Sequence, residues 1–346
     1  MGLGDRIGAA LRENGDRVAV RDGDAELTHA ELDTIIGETA SALAAHGVGP
    51  GSVVGLSSGT SVTFVAVVFA TMRLGASTAM ISTLWRDAEV DHAVGLVRPT
   101  HLVHDGSSVV DFAAHLSEGI VVHVDDLVAA EAVPGWAPTD ADDVAVYVFS
   151  SGTTGLPKAV RHCHRSLGAG MDHWIASLGL GPTDRLQITT PPFHILGLLN
   201  LLVVVAAGAS VRLHRRFDLD AMLGAIQRDR ITIEMAVAPI ALAMANHADL
   251  ERFDLSSLRY IMWGATPVTA SVAETVTART GIRFLPAYGA SELPVLAANP
   301  VERPDDWRLD SVGVAPAGVE LRVVDPETGA AMPVGQPGEI QGRSES

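Results

Sequence analysis

Cysteine is nearly absent from this chain. Cys163 stands alone among 346 residues, so no internal disulfide framework can form, and the composition suits a reducing compartment. Positive charge is also scarce. The 24 Lys and Arg face 41 Asp and Glu, a formal charge of −17, and no basic cluster interrupts the excess. Phosphate backbones and anionic membranes attract basic faces, so this balance argues against binding to either. Met1 to Arg17 carries charges where a signal peptide needs a hydrophobic run, so secretion is not expected and the expected location is cytoplasmic. Ile195 to Val211 is uncharged and about long enough to span a membrane, but Gly197, Asn200 and Gly208 interrupt it. It reads as a buried helix leading into a strand, not as a membrane span. His162-Cys163-His164 has no second ligand cluster at zinc spacing and is assigned a structural role. Short internal repeats and low-complexity segments are absent.

What is present suffices for a sizeable core: 47% of residues are hydrophobic and 19% charged, enough for two or three structural units. Thr28-His29-Ala30-Glu31 has the form of a capping box, and Leu32, Ile35, Ile36 and Leu43 follow at helical spacing. Short β-favouring runs then alternate with helical patterns through most of the chain, which predicts α/β architecture with largely parallel sheets covered on both faces. The expected organisation is a first α/β lobe over 1–165, a second over 166–310, and the start of a small β-rich, barrel-like unit over 311–346.

One stretch carries the chemistry. Val144-Ala145-Val146-Tyr147-Val148-Phe149 runs directly into Ser150-Ser151-Gly152-Thr153-Thr154-Gly155-Leu156-Pro157-Lys158. A buried strand ending in glycines, hydroxyls and a lysine suits a polyphosphate: glycines let backbone N–H groups approach, hydroxyls donate, and the lysine adds charge. The spacing is not the Walker pattern, because Gly152 and Gly155 are too close and Ala159 follows Lys158. On composition alone such a loop is more often a plain turn.

The full string resembles the phosphate loop of the adenylate-forming superfamily, which includes acyl- and aryl-CoA synthetases, luciferases and the adenylation domains of peptide synthetases. Four further stretches fall in that family's order: Thr28–Leu32, Pro192-Phe193-His194-Ile195-Leu196-Gly197, Trp263-Gly264-Ala265-Thr266-Pro267 and Tyr288-Gly289-Ala290-Ser291-Glu292, with Gly335–Ile340 as a closing turn. The departures are His29 for tyrosine, Ala159 for glycine, and Trp263 for a small residue.

The resemblance implies ATP-dependent activation of a carboxylic acid to an acyl-adenylate, followed by thioester formation with CoA. It implies that Ser150, Ser151, Gly152, Thr153, Thr154, Gly155 and Lys158 hold the phosphates of ATP, and later AMP. Gly264, Ala265, Thr266, Tyr288 and Gly289 would form the adenine site, with the two glycines admitting the purine and Tyr288 offering its ring. Ser291 would donate to the α-phosphate, and Glu292 is a hard oxygen ligand for Mg²⁺. His194 would border the carboxylate and gate the incoming thiol; Leu196, Asn200 and Trp263 would shape the acyl pocket.

Two other readings remain open: an adenylation domain that feeds a carrier protein, and a non-catalytic nucleotide-binding domain that regulates a partner. The family's main catalytic lysine and ribose aspartate lie in a mobile C-terminal domain beyond the β-rich unit. The expectation is therefore that residues 1–346 alone bind nucleotide yet turn over slowly.

Overall fold

The computed structural model describes residues 2–116, 118–130, 132–150, 155–264 and 269–346. The chain opens with α1 (Leu3–Glu13), the hairpin β1 (Val18–Asp22) and β2 (Ala25–Thr28), and α2 (His29–Ala45). The expected capping box starts α2: Thr28 Oγ1 accepts from the Glu31 N–H at 3.2 Å, and Glu31 Oε2 accepts from the Thr28 N–H at 2.8 Å. Then follow β3 (Val53–Ser57), α3 (Val62–Arg73), β4 (Ser77–Met80), α4 (Asp87–Val97), β5 (His101–His104) and β6 (Ile120–His123). The antiparallel pair β7 (Val144–Ser150) and β8 (Lys158–Cys163) leads into α5 (His164–Leu178).

The second half contains β9 (Arg185–Ile188), α6 (Ile195–Ala206), β10 (Ser210–Leu213), α7 (Leu219–Asp229), β11 (Ile233–Ala236) and α8 (Ala238–Ala245). It continues with β12 (Tyr260–Trp263), α9 (Ala270–Thr280), β13 (Phe284–Tyr288) and the short β14 (Ala297–Ala298). β15 (Glu320–Val324) and β16 (Glu339–Arg343) form a separate antiparallel ribbon, and no closed barrel forms among the described residues.

Two mixed sheets dominate, ordered β6-β5-β3-β4-β7-β8 and β14-β13-β12-β11-β9-β10-β1-β2. Most neighbours are parallel, as the alternation of strands and helices predicts. The strands do not sort along the chain, however. β1 crosses to the larger sheet and runs parallel to β10 with Val20 opposite Val211, while His29 Nε2–H donates to the Ala209 carbonyl at 3.1 Å. The N-terminal hairpin thus belongs spatially to the strands of the second half.

Helices α1, α2, α3, α5 and α6 lie between the sheets and share one core with both. This placement explains why α3 and α6 are apolar nearly all round: a helix covered on every side has no face for water. Val67, Phe69, Leu202 and Val203 are fully buried there, each contributing about 1.5–3 kcal/mol relative to exposure. The outer faces are closed by α7, α8 and α9 on the larger sheet and by α4 on the smaller. Among the described residues no helix is long and apolar enough to cross a membrane.

Candidate active site

The carboxyl ends of parallel strands are where an α/β sheet leaves room for a ligand. At the ends of β12 and β13, beside the start of α6, lies a cavity of about 320 Å³. Its inner wall is apolar, formed by Trp174, Leu196, Leu199 and Met262, while Gly264, Tyr288, Gly289 and Ser291 lie on the strand-end side and His194 on the helix side. Segments far apart in sequence therefore meet around one space.

The tyrosine is 39% exposed, so its ring is available at the rim. The two glycines assigned to the adenine site also pack against the protein's own backbone. A Cβ at Gly289 would stand 1.9 Å from the Pro294 carbonyl oxygen, and one at Gly264 would stand 3.0 Å from that of Ala287. Both glycines are required by the protein's own backbone, which folds tightly against itself there.

The predicted acyl-pocket residues divide. Leu196 lines the cavity. Asn200 is 1% exposed and sits one layer behind, where its Oδ1 accepts from Trp174 Nε1–H at 2.8 Å and fixes the indole that forms the wall. Trp263 is not among the lining residues. Its ring packs edge-on to Phe284 at 5.7 Å between centroids, in the core shared with α8 and α9. Strand parity is the reason: side chains alternate along β12, so Met262 faces the cavity and Trp263 the opposite side of the sheet.

His194 is exposed at the cavity mouth and makes no side-chain cap for α6. Partial desolvation lowers its pKa, so the ring is predominantly neutral at pH 7. It also borders a second space of about 170 Å³ lined by Trp85, Phe149, Ser150, Gly155 and Pro157. The two spaces thus share one imidazole.

Ser150 and Lys158 face each other as the last and first residues of β7 and β8. The phosphate-type loop therefore joins two antiparallel strands, and its exit runs into β8 rather than into a helix N-terminus. Lys158 is exposed. Ser151, Gly152, Thr153, Thr154, Ala265 and Thr266 lie outside the described residues.

The sequence reading missed what ties these parts together. His162, assigned only a structural role, is buried on β8 and donates from Nε2–H to the Ser291 carbonyl at 2.8 Å. Burial lowers its pKa, consistent with a neutral ring committed to that bond. It clamps the Tyr288–Glu292 segment to the loop-bearing hairpin. No periodicity could have revealed this, because the partners are 129 residues apart.

Glu292, next in the chain, is exposed and has no ion-pair partner among the described residues. No group of three or more His, Cys, Asp or Glu side chains suitable for a metal occurs among the described residues. An exposed carboxylate on a segment tied to β8 through His162 fits Mg²⁺, which keeps most of its coordination for water and substrate phosphates.

The fold brings the hairpin β7–β8, an exposed aromatic rim and an apolar chamber to the strand ends. The chain belongs to the AMP-binding enzyme family, whose profile matches residues 8–346. It is 31% identical to 4-coumarate–CoA ligase 5 of Oryza sativa subsp. japonica over 98% of this chain and 67% of that protein. It is 30% identical to a feruloyl-CoA synthase of Amycolatopsis sp. over 98% of this chain and 69% of that protein. A third relative, 4-coumarate–CoA ligase 2 of the same rice, is 40% identical over 62% of this chain but only 40% of its own length. The chain thus spans about two thirds or less of these curated relatives. Among solved structures, ATP-bound MatB from Rhodopseudomonas palustris superposes with a TM-score of 0.91 at 26% identity, covering all of this chain and 71% of that one. The anthranilate CoA ligase AuaEII in complex with anthranoyl-AMP has a TM-score of 0.91 at 25% identity, with 100% and 70% coverage.

Proposed function

We propose that this protein activates, with ATP, a carboxylic acid that bears no second charged group, and passes the acyl group to the thiol of CoA. The carrying observation is the makeup of the cavity at the ends of β12 and β13. Its wall is apolar, its rim carries Tyr288 and Ser291, and no Asp, Glu, Lys or Arg lines it among the described residues. A substrate amine or second carboxylate would find no counter-charge there, and burying an unpaired charge is costly. An aryl or short apolar tail fits instead.

In this reading the acid's carboxylate oxygen attacks the α-phosphorus of ATP, the bond to pyrophosphate breaks, and the acyl-adenylate remains. The thiol sulfur then attacks the acyl carbon and AMP leaves. Tyr288 would stack on the base, the Ser291 hydroxyl would donate to the α-phosphate, and Lys158 would meet the outer phosphates. Glu292 would hold Mg²⁺, which neutralises phosphate charge when bound. Neutral His194, shared by the two spaces, would separate the acyl chamber from the approach of the thiol. Positioning and charge stabilisation supply the rate enhancement in such transfers.

The test is ATP–pyrophosphate exchange by the full gene product across a panel of aryl, short-chain, amino and dicarboxylic acids, repeated with CoA and thioester detection. Exchange led by the aryl or short apolar acids is expected. Exchange with no acid, or strongest exchange with an amino acid, would overturn the reading.

A further inference from the structure

At the amino ends of the strands in the larger sheet, away from the candidate active site, is a second built pocket. It measures about 280 Å³ and is lined at the starts of β1, β9 and β10 by Arg17, Arg21, Arg185, Thr183, Asp184 and Ser210. Three guanidiniums gathered in one hollow are conspicuous in a chain of net charge −17.

Their partners determine how much of that charge is free. Arg17 donates to the Gly208 carbonyl at 3.2 Å and to that of Pro182, and Arg185 donates to the Asp229 carbonyl at 2.9 Å. Neither forms an ion pair among the described residues. Arg21 is buried, bonded to Ser210 Oγ at 3.0 Å and to Glu26 at 2.7 Å. The one carboxylate lining the pocket among the described residues, Asp184, is already committed: it accepts from the Gly181 N–H at 2.9 Å, from Thr232 Oγ1 at 2.7 Å and from Arg259 at 2.8 Å. Carbonyl partners orient a guanidinium without cancelling its charge, and each guanidinium has five N–H donors. Arg21 is ion-paired with Glu26, so the hollow presents two pre-positioned cations, Arg17 and Arg185, with spare donors and two hydroxyls, Thr183 and Ser210.

We propose that this pocket is an anion site for a phosphate group, distinct from the nucleotide site. Planar guanidiniums match phosphate oxygens in bidentate fashion, and the ordering cost is already met by the carbonyl contacts. The pocket's place at the opposite ends of the strands means that its occupant need not compete with AMP. Arg185 opens β9, and through it the anion would touch the same sheet whose far edge carries Tyr288.

The experiment is calorimetric titration of the protein with pyrophosphate at low ionic strength, with and without saturating AMP. Inorganic phosphate and adenosine 3′,5′-bisphosphate serve as parallel probes. A binding event that survives AMP is expected. Arg17→Gln combined with Arg185→Gln should weaken it on the order of tenfold or more, as removal of charge-assisted hydrogen bonds does. Thr183→Glu, at an exposed rim position, should do the same by adding a repelling carboxylate without disturbing the core. Binding of the inorganic ions alone would identify a free anion as the occupant; binding of the bisphosphate too would identify a phosphate carried on a larger molecule. No event in the presence of AMP, or unchanged affinity in a folded Thr183→Glu variant, would overturn the proposal. Because Thr183 and Arg185 touch no part of the candidate active site, failure here leaves the adenylation reading intact.

Discussion

Tyr288, Ser291 and Glu292 lie within one short segment, yet each meets different surroundings: a rim, a clamped backbone and open solvent. The exposed carboxylate gives a clean test. Glu292→Gln keeps the shape and removes the charge, so Mg²⁺-dependent ATP affinity should fall while the melting temperature holds; calorimetry with and without Mg²⁺ measures the first. Unchanged Mg²⁺-dependent affinity would remove Glu292 from the site. The adjacent pair Met262 and Trp263 makes a second contrast. Trp263→Ala should destabilise the fold by about 3–5 kcal/mol through core loss and leave acid preference unchanged. Met262→Ala should enlarge the chamber and favour bulkier acids. Denaturant titration together with an acid panel separates the two, and a changed profile in Trp263→Ala would place the indole against the substrate after all. The sequence presented both residues equally; only the direction of each side chain, set by the pairing of β12, distinguishes them.

At the scale of elements, the β7–β8 hairpin is the part on which the site is assembled. The strand β7 was legible because six β-favouring residues run together up to Ser150. The return strand was not: Lys158–Cys163 mixes charges, histidine and valine, and gains its order from pairing with β7. His162 then carries that order to the Tyr288–Glu292 segment. His162→Phe keeps the ring volume but leaves the Ser291 carbonyl without its donor, a loss of about 1–3 kcal/mol. The expected result is a higher KM for ATP with kcat less affected, since the residue positions the segment and touches no reacting atom. Equal KM and equal stability in the variant would mean that the segment holds itself in place.

At the scale of the whole molecule, an unusual feature of the larger sheet is a buried acid. Glu234, on β11, is fully buried, accepts a hydrogen bond from Gln187, and has its pKa raised to about 8, with burial as the leading cause. An unfolded glutamate titrates near ~4.3. Because the folded pKa is the higher one, the stability associated with this proton is fully present below the unfolded value and is lost as pH rises through about 8. Unfolding free energy measured from pH 5 to 9 should therefore decline. Glu234→Gln should flatten that decline, and an identical slope in the variant would show that the acid is ionised or solvated. Local pattern by itself determined much of this protein: the α2 cap, the apolar helices α3 and α6, the parallel α/β alternation and the loop at Ser150–Lys158 all depend on residues within a few positions of one another. Tertiary structure alone decided which sheet receives the N-terminal hairpin, which face of β12 meets the chamber, how closely the backbone packs at Gly264 and Gly289, and that Asn200 holds the Trp174 indole. Each of these depends on contact between distant segments, and side-chain direction at such a contact is fixed by strand register and packing that no short window of sequence contains.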